Sequence, residues 1–494
     1  MIMKLEQTAP PTVPGPRTPV DPREQVDPRG QADPRGQVER RGPHQARPEP
    51  RPGLRMWRRR ARLLNVITAI GAAGVLTTAT FDHLGRHHQQ LDLHGGIGGL
   101  AWILGSAVVL AYTLGNMLIR PHKGATWRIW ASSSLFAALC LAGTTAVWTL
   151  EFRNDGLTAV PGTRVDNEAE ASRYLDGALG PQGGGVPRIP TGVFMQSVKF
   201  SGANDVAVTG VVWQRYAPDV PKALRRGVAF PEAGDSWSAK EVYRTERNGV
   251  ETIGWNFQAT LRERFDYERY PLDAQSVWLR MRPADVTQNA AVVPDFSSYP
   301  PWRTDRKYGL DPGFVNGGWR TKYTAFSYVP NDYTSSFGTA RYGDERPTPE
   351  LYFNLGVSRD FVEPLISRLV PVAFIALLIF ASLFAVTLHA ERRGLTGFSV
   401  SGVIGSAVSM LLVITVQHNS VREATGDQSG FVYLEWFYAA LYLVIVLVAL
   451  NALLMSTRFA DGILGWRGNL LPKVFYLPIV MGLLLAATLF SFNT

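Results

Sequence analysis

The chain has 494 residues, of which 46% are hydrophobic and 18% are charged, and its formal net charge is +9. Residues 1–62 hold fourteen Lys and Arg against seven Asp and Glu, so seven of the nine excess charges lie there and the remainder is nearly neutral. The apolar residues are concentrated in runs about as long as a bilayer is thick, which excludes an ordinary soluble protein. Cys140 is the one cysteine, so no intrachain disulfide can form.

Residues 1–58 are rich in Pro, Arg, Gly and Gln and contain the repeat VDPREQ, VDPRGQ, ADPRGQ, which begins at Val20. Such a segment has almost no aliphatic surface to bury, so we expect a disordered basic tail. A basic tail can attract anionic lipid or nucleic acid. The simpler interpretation is a solvated cytoplasmic tail that carries an orientation signal, and we expect no nucleic-acid partner.

Seven apolar runs follow, near residues 63–80, 97–119, 129–150, 365–389, 398–417, 431–455 and 471–490. The first three form a segment of N-terminal membrane helices, residues 59–150, and the last four form a membrane domain, residues 363–494. Lys and Arg accumulate before the first run and between the second and third, the fourth and fifth, and the sixth and seventh. Since positive residues stay on the cytoplasmic side, the sequence predicts a multi-pass cell-membrane protein with its N-terminus inside and its C-terminus outside.

The connection after the first run holds four of the eight histidines: His83, His87, His88 and His94. His83 and His87 would share a helix face, so a zinc or copper site or a pH sensor is conceivable. An exposed polar loop is the favoured interpretation. We assign no metal site and no cofactor.

Residues 151–362 form the large soluble segment, on the extracellular side. After a loop-like stretch to about residue 188, two alternating runs predict a hairpin that turns at residues 202–205, and further strand-like runs recur at 251–265, 275–282, 321–328 and 350–357. No long amphipathic helix is visible, so the favoured fold is an antiparallel β-sandwich followed by a helical membrane bundle. The usual catalytic motifs are missing, and we predict that the protein is not an enzyme.

The stretch from Gly254 to Pro283 contains two alternating, half-buried strands joined by FDYERYPLDAQ, residues 265–275. Proline lacks an N–H and holds Tyr270 out of helix, while Asp273 can accept hydrogen bonds from nearby amides, so a shaped loop is expected. We call it the proline loop. Leu272 at its tip is an exposed apolar residue that requires a packing partner.

The proline loop resembles the signature of the pentameric ligand-gated ion channels, the Cys-loop receptor superfamily, in which an aromatic-Pro-x-Asp-x-Gln run lies between two strands. Tyr270, Pro271, Asp273 and Gln275 match that run. Ser358, Arg359 and Phe361 then lead into an apolar helix that contains Pro371, as in bacterial members. The missing disulfide also fits bacterial members, and the likeness covers roughly residues 189–490. An ordinary proline turn in an unrelated β-domain is the alternative.

The resemblance implies a coupling region where the extracellular domain meets the membrane. The residues assigned to it are Asp205, Tyr270, Pro271, Leu272, Asp273 and Arg359. Asp205, Asp273 and Arg359 would meet, and a guanidinium can bond carboxylates bidentately. Leu272 would press on the connection around residues 418–423 and move the pore helix. The alternative is that the three charges are unrelated.

The resemblance makes the fifth run the pore helix. Its predicted lumen face is Ser399, Gly402, Ser406, Ser409, Val413 and Val416. Small and hydroxyl groups would line the cytoplasmic part, and the two valines would close the outer part by dewetting. The pairs Gly402/Ser406 and Gly405/Ser409 also permit close helix packing without any pore.

Three features depart from the family. Gly397 stands where cation-selective members carry a glutamate, so ion selectivity is left open. Trp213, Gln214 and Arg215 replace the expected Trp-x-Asp pattern, which weakens any ligand assignment. The three N-terminal helices are an addition, and they would brace the rim of a pentamer or bind lipid.

The family's ligand site is an aromatic cage between subunits, suited to cations or amphipathic small molecules. The weak candidates here are Trp213, Tyr216, Trp302, Tyr323, Tyr328 and Tyr333, although core packing explains most aromatics. Glu435 is expected to pair with an arginine such as Arg368. The predicted function is a homopentameric channel in membrane lipid, opened by an extracellular small ligand or protons and passing ions. The alternative is a non-conducting seven-helix sensor or scaffold.

Overall fold

The computed structural model describes residues 52–86, 98–153, 160–180, 185–285, 290–303, 306–330, 333–335, 338, 349–386, 399–426, 430–457 and 466–492. The predicted disorder of residues 1–51 lies outside these ranges. The same holds for His87, His88 and His94, and for Gly397 at the start of the predicted pore helix.

Seven helices in the described part are long and apolar enough to cross a membrane, which indicates a membrane-embedded protein. They are α1 Pro52–Arg86, α2 Gly98–Ile119, α3 Thr126–Arg153, α5 Val362–Ala385, α6 Val400–Thr425, α7 Tyr433–Leu454 and α8 Leu470–Ser491, and α4 Glu168–Leu179 is a shorter helix between α3 and α5. Each predicted apolar run overlaps one of the seven helices. The first begins at Pro52, before the predicted end of the tail at residue 58, and proline is well tolerated in the first turn of a helix.

Helix α5 contains a π turn over Leu365–Leu369, directly before Pro371. Proline has no N–H to donate and its ring crowds the preceding turn, so the helix cannot keep a regular hydrogen-bond ladder there. The predicted proline therefore coincides with a local irregularity at the start of this membrane helix.

The segment between α3 and α5 contains eleven strands in the described residues. They are β1 Thr163–Val165, β2 Arg188–Phe200, β3 Asp205–Tyr216, β4 Val228–Ala229, β5 Ser238–Arg247, β6 Val250–Arg262, β7 Ala274–Pro283, β8 Ala291–Pro294, β9 Leu310–Val315, β10 Trp319–Val329 and β11 Glu350–Arg359. One sheet has the order β1-β10-β11-β7-β4, and the other has the order β5-β6-β3-β2-β8 with β9 also paired to β2.

Most strand pairs are antiparallel, including the predicted β2–β3 hairpin, whose turn lies at residues 201–204. The exceptions are β8 and β9, which run parallel to β2. One cluster of buried side chains contains residues of both sheets, such as Val208 of β3 and Phe353 of β11. The alternating pattern that predicted these strands thus places their apolar residues in a shared core.

The prediction of a loop-like stretch up to residue 188 is wrong, since β1 and α4 lie within it. The Oδ1 of Asn167 accepts the backbone N–H of Glu170 at 2.9 Å, and the Glu170 carboxylate accepts the side-chain amide of Asn167 at 2.8 Å. This reciprocal capping satisfies donors that a helix start leaves unpaired. Helix α4 then buries Ala171 and Leu175.

Candidate functional site

The proline loop, residues 265–275, connects β6 to β7, and its last two residues belong to the start of β7. The backbone N–H groups of Tyr270 and Leu272 donate to the carbonyls of Tyr267 and Arg269 at 2.9 and 2.8 Å, and the Tyr270–Pro271 peptide is cis. Gln275 closes the base of the loop, since its Nε2 donates to the Asp266 carbonyl and its Oε1 accepts the Asp266 N–H. The matched glutamine is therefore a brace for the shape of the loop.

Arg359, at the end of β11, forms the predicted ion pair with Asp273. Its Nε donates to Oδ1 at 2.8 Å and its Nη2 to Oδ2 at 3.0 Å, and its backbone N–H also donates to the Asp273 carbonyl at 3.1 Å. Asp273 has a side chain 1% exposed and Arg359 one 20% exposed. A bidentate pair with so little water around it is geometrically specific and poorly screened.

Two aromatic rings enclose the same guanidinium. Its central carbon lies 4.8 Å from the ring centre of Tyr270 and 4.3 Å from that of Trp319. Burial lowers the pKa of Arg359, but the Asp273 charge and its hydrogen bonds more than offset this, so the pKa is raised. Arg359 thus stays charged and joins the proline loop to β10 and β11.

Asp205 is not part of that pair. Its Oδ1 accepts from Nε of the exposed Arg262 at 3.2 Å, so the predicted meeting of Asp205 with Asp273 and Arg359 is replaced by two separate pairs. The hairpin turn reaches the loop differently, because the Tyr267 hydroxyl donates to the Ala203 carbonyl at 3.0 Å. The sequence analysis assigned this contact to the side chain of Asp205, whereas the turn contacts the loop through the backbone carbonyl of Ala203.

The proline loop contacts the start of α7. The backbone N–H groups of Tyr433 and Leu434 donate to the carbonyls of Glu268 and Tyr270 at 2.8 and 3.2 Å. The first N–H groups of a helix have no partner within it, so the loop caps α7. Leu272 is buried, which corrects the expectation that it is exposed.

The hairpin turn lies against the C-terminal end of α6. A Cβ built on Gly426, which ends that helix, would lie 2.6 Å from the Cβ of Ala203. The turn and the proline loop therefore meet the ends of two successive membrane helices, α6 and α7. We call these contacts, together with the Asp273–Arg359 pair, the junction.

Glu435 is fully buried on α7 and pairs with two residues of α6. Its carboxylate binds Arg422 and lies 2.9 Å from Nε2 of His418, and it also accepts the Val432 N–H at 2.8 Å. The predicted partner, Arg368, instead donates to Gln417 and Ser420 at 3.4 and 2.8 Å. The prediction of an arginine partner was right in kind but wrong in position.

Most of the predicted lumen face of α6 is exposed in the described part of the chain. Gly402, Ser409, Val413 and Val416 are exposed and Ser406 is half-buried, while another face of the helix buries residues such as Val403 and Ile414. Ser399 caps the helix by accepting the Gly402 N–H at 3.0 Å. The hydroxyls of Ser406 and Ser409 donate to carbonyls of their own helix.

The six candidate aromatics occupy different parts of the β-region. Tyr216, Tyr323 and Tyr328 are buried, and Trp302 packs among the rings of Phe296, Tyr299, Tyr308 and Phe326. Trp213 donates through Nε1 to Asp295 at 3.0 Å. These five are in packing positions, and the assignment of a ligand to them stays a prediction.

The sixth aromatic, Tyr333, belongs to a charged cluster that sequence reasoning missed. Arg280 of β7 binds Glu232 and lies 3.5 Å from Glu350, and the Tyr333 hydroxyl donates to Glu350 at 2.7 Å. We call these four residues the charged cluster. All three ionic side chains are at most 19% exposed. The signal that the sequence offered for this cluster was an arginine, Arg280, within the alternating pattern of β7.

Two atoms of the charged cluster are buried without a hydrogen-bond partner among the described residues: Nε of Arg280 and Oε2 of Glu232. Burial raises the pKa of Glu232, and the Arg280 charge opposes that rise only in part. Unmet donors and acceptors in a buried place are costly, and a bound molecule or water can satisfy them.

Two cavities lie between membrane helices rather than beside these residues. One of about 630 Å³ is lined by α1, α2 and α8, and one of about 230 Å³ is lined by α5, α7 and α8. In comparisons with known proteins, the chain matches no protein-family model and no curated protein. The resemblance to a channel family therefore rests on the residues of this chain alone.

Proposed function

We propose that the chain is the subunit of a homopentameric ligand-gated ion channel of the Cys-loop receptor type, with three additional N-terminal helices. In this proposal the two sheets pack as an extracellular sandwich, and α5 to α8 form the membrane bundle of each subunit. The N-terminus is then cytoplasmic and the C-terminus extracellular. The observation that carries the proposal is the bidentate Asp273–Arg359 pair within a loop that caps α7.

The junction gives a physical route for gating. A movement of β7 or β11 shifts Asp273 and Arg359 together, because the pair is bidentate and enclosed by Tyr270 and Trp319. The loop carbonyls then pull on the start of α7, and the hairpin turn presses on the end of α6. Interfaces of this kind have discrete packed arrangements, so a small shift can be amplified.

The exposed face of α6 supports a shared pore. Five copies would bring Ser399, Gly402, Ser406 and Ser409 around a wet inner part and Val413 and Val416 around an apolar outer part.

The ligand in this proposal acts on the charged cluster. Two carboxylates and one guanidinium make up its ionic side chains, and because burial raises the pKa of Glu232, that carboxyl takes up a proton at a higher pH than an exposed glutamate does. A small cation or a proton fits these features. Either would alter the Glu232–Arg280 pair, which lies on the strand β7 that leads to Asp273.

Recording from reconstituted bilayers tests the proposal, with the mass of the intact detergent-solubilised complex measured on the same sample. Five copies and current steps on acidification from pH 7 to pH 5 or on adding a small organic cation are expected. Val413→Ser and Val416→Ser should then hold the channel open by wetting its apolar part. Val408→Ser is the matched control, since it is 63% exposed and lies about 140° around the helix from Val413.

A non-conducting sensor or scaffold is the second candidate, and the serine hydroxyls favour it. Those of Ser406 and Ser409 are satisfied by their own helix, so they need no pore water. Gly402 and Gly405 also permit close packing against another helix. A folded pentamer that stays silent under every condition, with Val413→Ser indistinguishable from Val408→Ser, would support this candidate.

A further inference from the structure

The C-terminal end of α3 lies against the junction. Glu151 Oε1 is 3.2 Å from Arg269 Nη1 of the proline loop, and the Lys322 Nζ of β10 donates to the Phe152 carbonyl at 2.9 Å. Trp148 donates through Nε1 to the Tyr433 hydroxyl at 2.9 Å, at the start of α7. This one helix end therefore contacts the loop, the sheet and the membrane helix that the loop caps.

Aromatic packing fixes the same helix end to the segment between β11 and α5. The rings of Trp148 and Phe152 both pack edge-on against Phe361, at 5.3 and 5.4 Å. Phe361 is two residues after Arg359, so α3 also touches the segment that follows the ion pair. Val147, one turn before Glu151, is fully buried.

The Glu151–Arg269 contact is shielded on one side. The Glu151 side chain is 10% exposed and the Arg269 side chain 33% exposed. The other contact that the described residues offer the Arg269 guanidinium is the ring of Phe492, at 5.5 Å. A partly buried pair loses more than a surface pair when one charge is removed, because the remaining charge keeps its desolvation cost.

We infer that α3 takes part in the junction and that Glu151 is a positioning residue. Through its contact with Arg269, Glu151 holds the proline loop in place. The three N-terminal helices then set how readily the loop moves and how much ligand or proton is needed to open the pore. This inference rests on the proposed function for its effect on opening. Its effect on the loop itself does not depend on conduction.

Amide hydrogen exchange of the full chain in lipid nanodiscs tests the inference. The N–H groups of Tyr270 and Leu272 are bonded inside the loop, so they report its opening. Glu151→Gln and Arg269→Gln should each speed their exchange roughly tenfold, with no further change in the double variant. The charge-swapped pair Glu151→Arg with Arg269→Glu should restore protection. Glu168→Gln, an exposed carboxylate on α4, should leave the loop unchanged.

The inference is wrong if loop exchange is the same in wild type and in Glu151→Gln. It is also wrong if the effects of the two single substitutions on loop exchange add in the double variant. Variants that do not assemble are replaced by the charge-swapped pair, whose protection must then match wild type. Failure of the proposed function looks different: wild type would carry no current while loop exchange still responded to Glu151→Gln. Where wild type conducts, the proton concentration for half-maximal current should shift roughly tenfold in both single variants.

Discussion

Strands β7 and β11 carry an ion pair at each of their two ends, and the two pairs differ. At the membrane end Asp273 and Arg359 bond each other bidentately, with two rings around the guanidinium. At the other end Arg280 pairs with two acids, and Nε of Arg280 and Oε2 of Glu232 are buried without a hydrogen-bond partner in the described part of the chain. The Asp273–Arg359 pair therefore fixes a single arrangement of side chains at the membrane end. At the Arg280 end, the buried donor and acceptor without partners could bond to a ligand, which is the property that a binding site needs.

The two ends are joined by paired backbone. β7 has ten residues and is paired with β11 from Leu351↔Met281 to Ser358↔Ala274, so about 24 Å of ladder connects the two ends. Side chains on β11 are buried from Glu350 to Val357. A change at the charged cluster can therefore reach the junction through a packed element, without a mobile linker.

The largest expected effect is at the junction. Arg359→Gln leaves a buried Asp273 without its partner, and we expect the free energy of unfolding to fall by about 3–5 kcal/mol. Denaturant unfolding of the full chain in detergent measures it. Arg262→Gln is the matched control, because its pair with Asp205 has an arginine side chain 82% exposed and should contribute less than about 1 kcal/mol. Equal losses in the two variants would contradict the difference drawn between buried and exposed pairs.

The second effect concerns Glu263, an acid between the two ends. It accepts the Trp278 N–H of β7, and burial raises its pKa well above the ordinary value of 4.5 for a glutamate. As pH rises above 4.5 the unfolded chain loses this proton while the folded chain keeps it, so stability falls up to the folded pKa. Each such pH unit costs about 1.4 kcal/mol.

Glu263→Gln has no proton to keep, so its stability should be flatter with pH and higher than wild type near pH 7. Unfolding at a series of pH values from 4 to 8 measures this. Parallel curves for the two proteins would mean that Glu263 is not held protonated by burial.

The third effect separates response from stability. Glu232→Gln keeps an oxygen for Arg280 but removes the charge, so the free energy of unfolding should change by only about 1 kcal/mol. In the proposed channel, the current evoked by acidification or by a small cation should be lost or strongly reduced. Glu246→Gln, which removes an exposed carboxylate on β5, is the control. An unaltered current in Glu232→Gln would show that the ligand or proton does not act at the charged cluster.

Features carried by neighbouring residues could be predicted from the sequence. The β2–β3 hairpin, the proline loop and the membrane helices follow from alternation, proline and long apolar runs. The Asp273–Arg359 pair was found because the resemblance supplied the long-range link. Strand β5 was missed because all its ten residues are exposed, so it has no apolar alternation.

Contacts between distant segments could not be predicted in this way. Glu151 and Arg269 are 118 residues apart, and nothing in either neighbourhood marks the other as a partner. The charged cluster draws its four residues from four separate strands or turns, so it could not be predicted for the same reason. For Glu435 the choice among Arg368, Arg422 and His418 depends on how α6 rotates against α7, which a single sequence does not specify.

The smallest expected effect is that of Tyr333→Phe at the charged cluster. The substitution removes the donor to Glu350 Oε1 and the acceptor for Arg280 Nη1, at 2.7 and 3.3 Å, and should cost about 0.5–1.5 kcal/mol. Burial and the bond to Glu350 raise the pKa of Tyr333 to about 12, so the phenol stays neutral and the loss should be the same at pH 6 and pH 8. Denaturant unfolding at the two pH values measures it, with Tyr243→Phe on β5 as the control. A loss as large as that of Arg359→Gln would show that the charged cluster is as rigid as the junction. The difference drawn between the two ends of β7 and β11 would then be wrong.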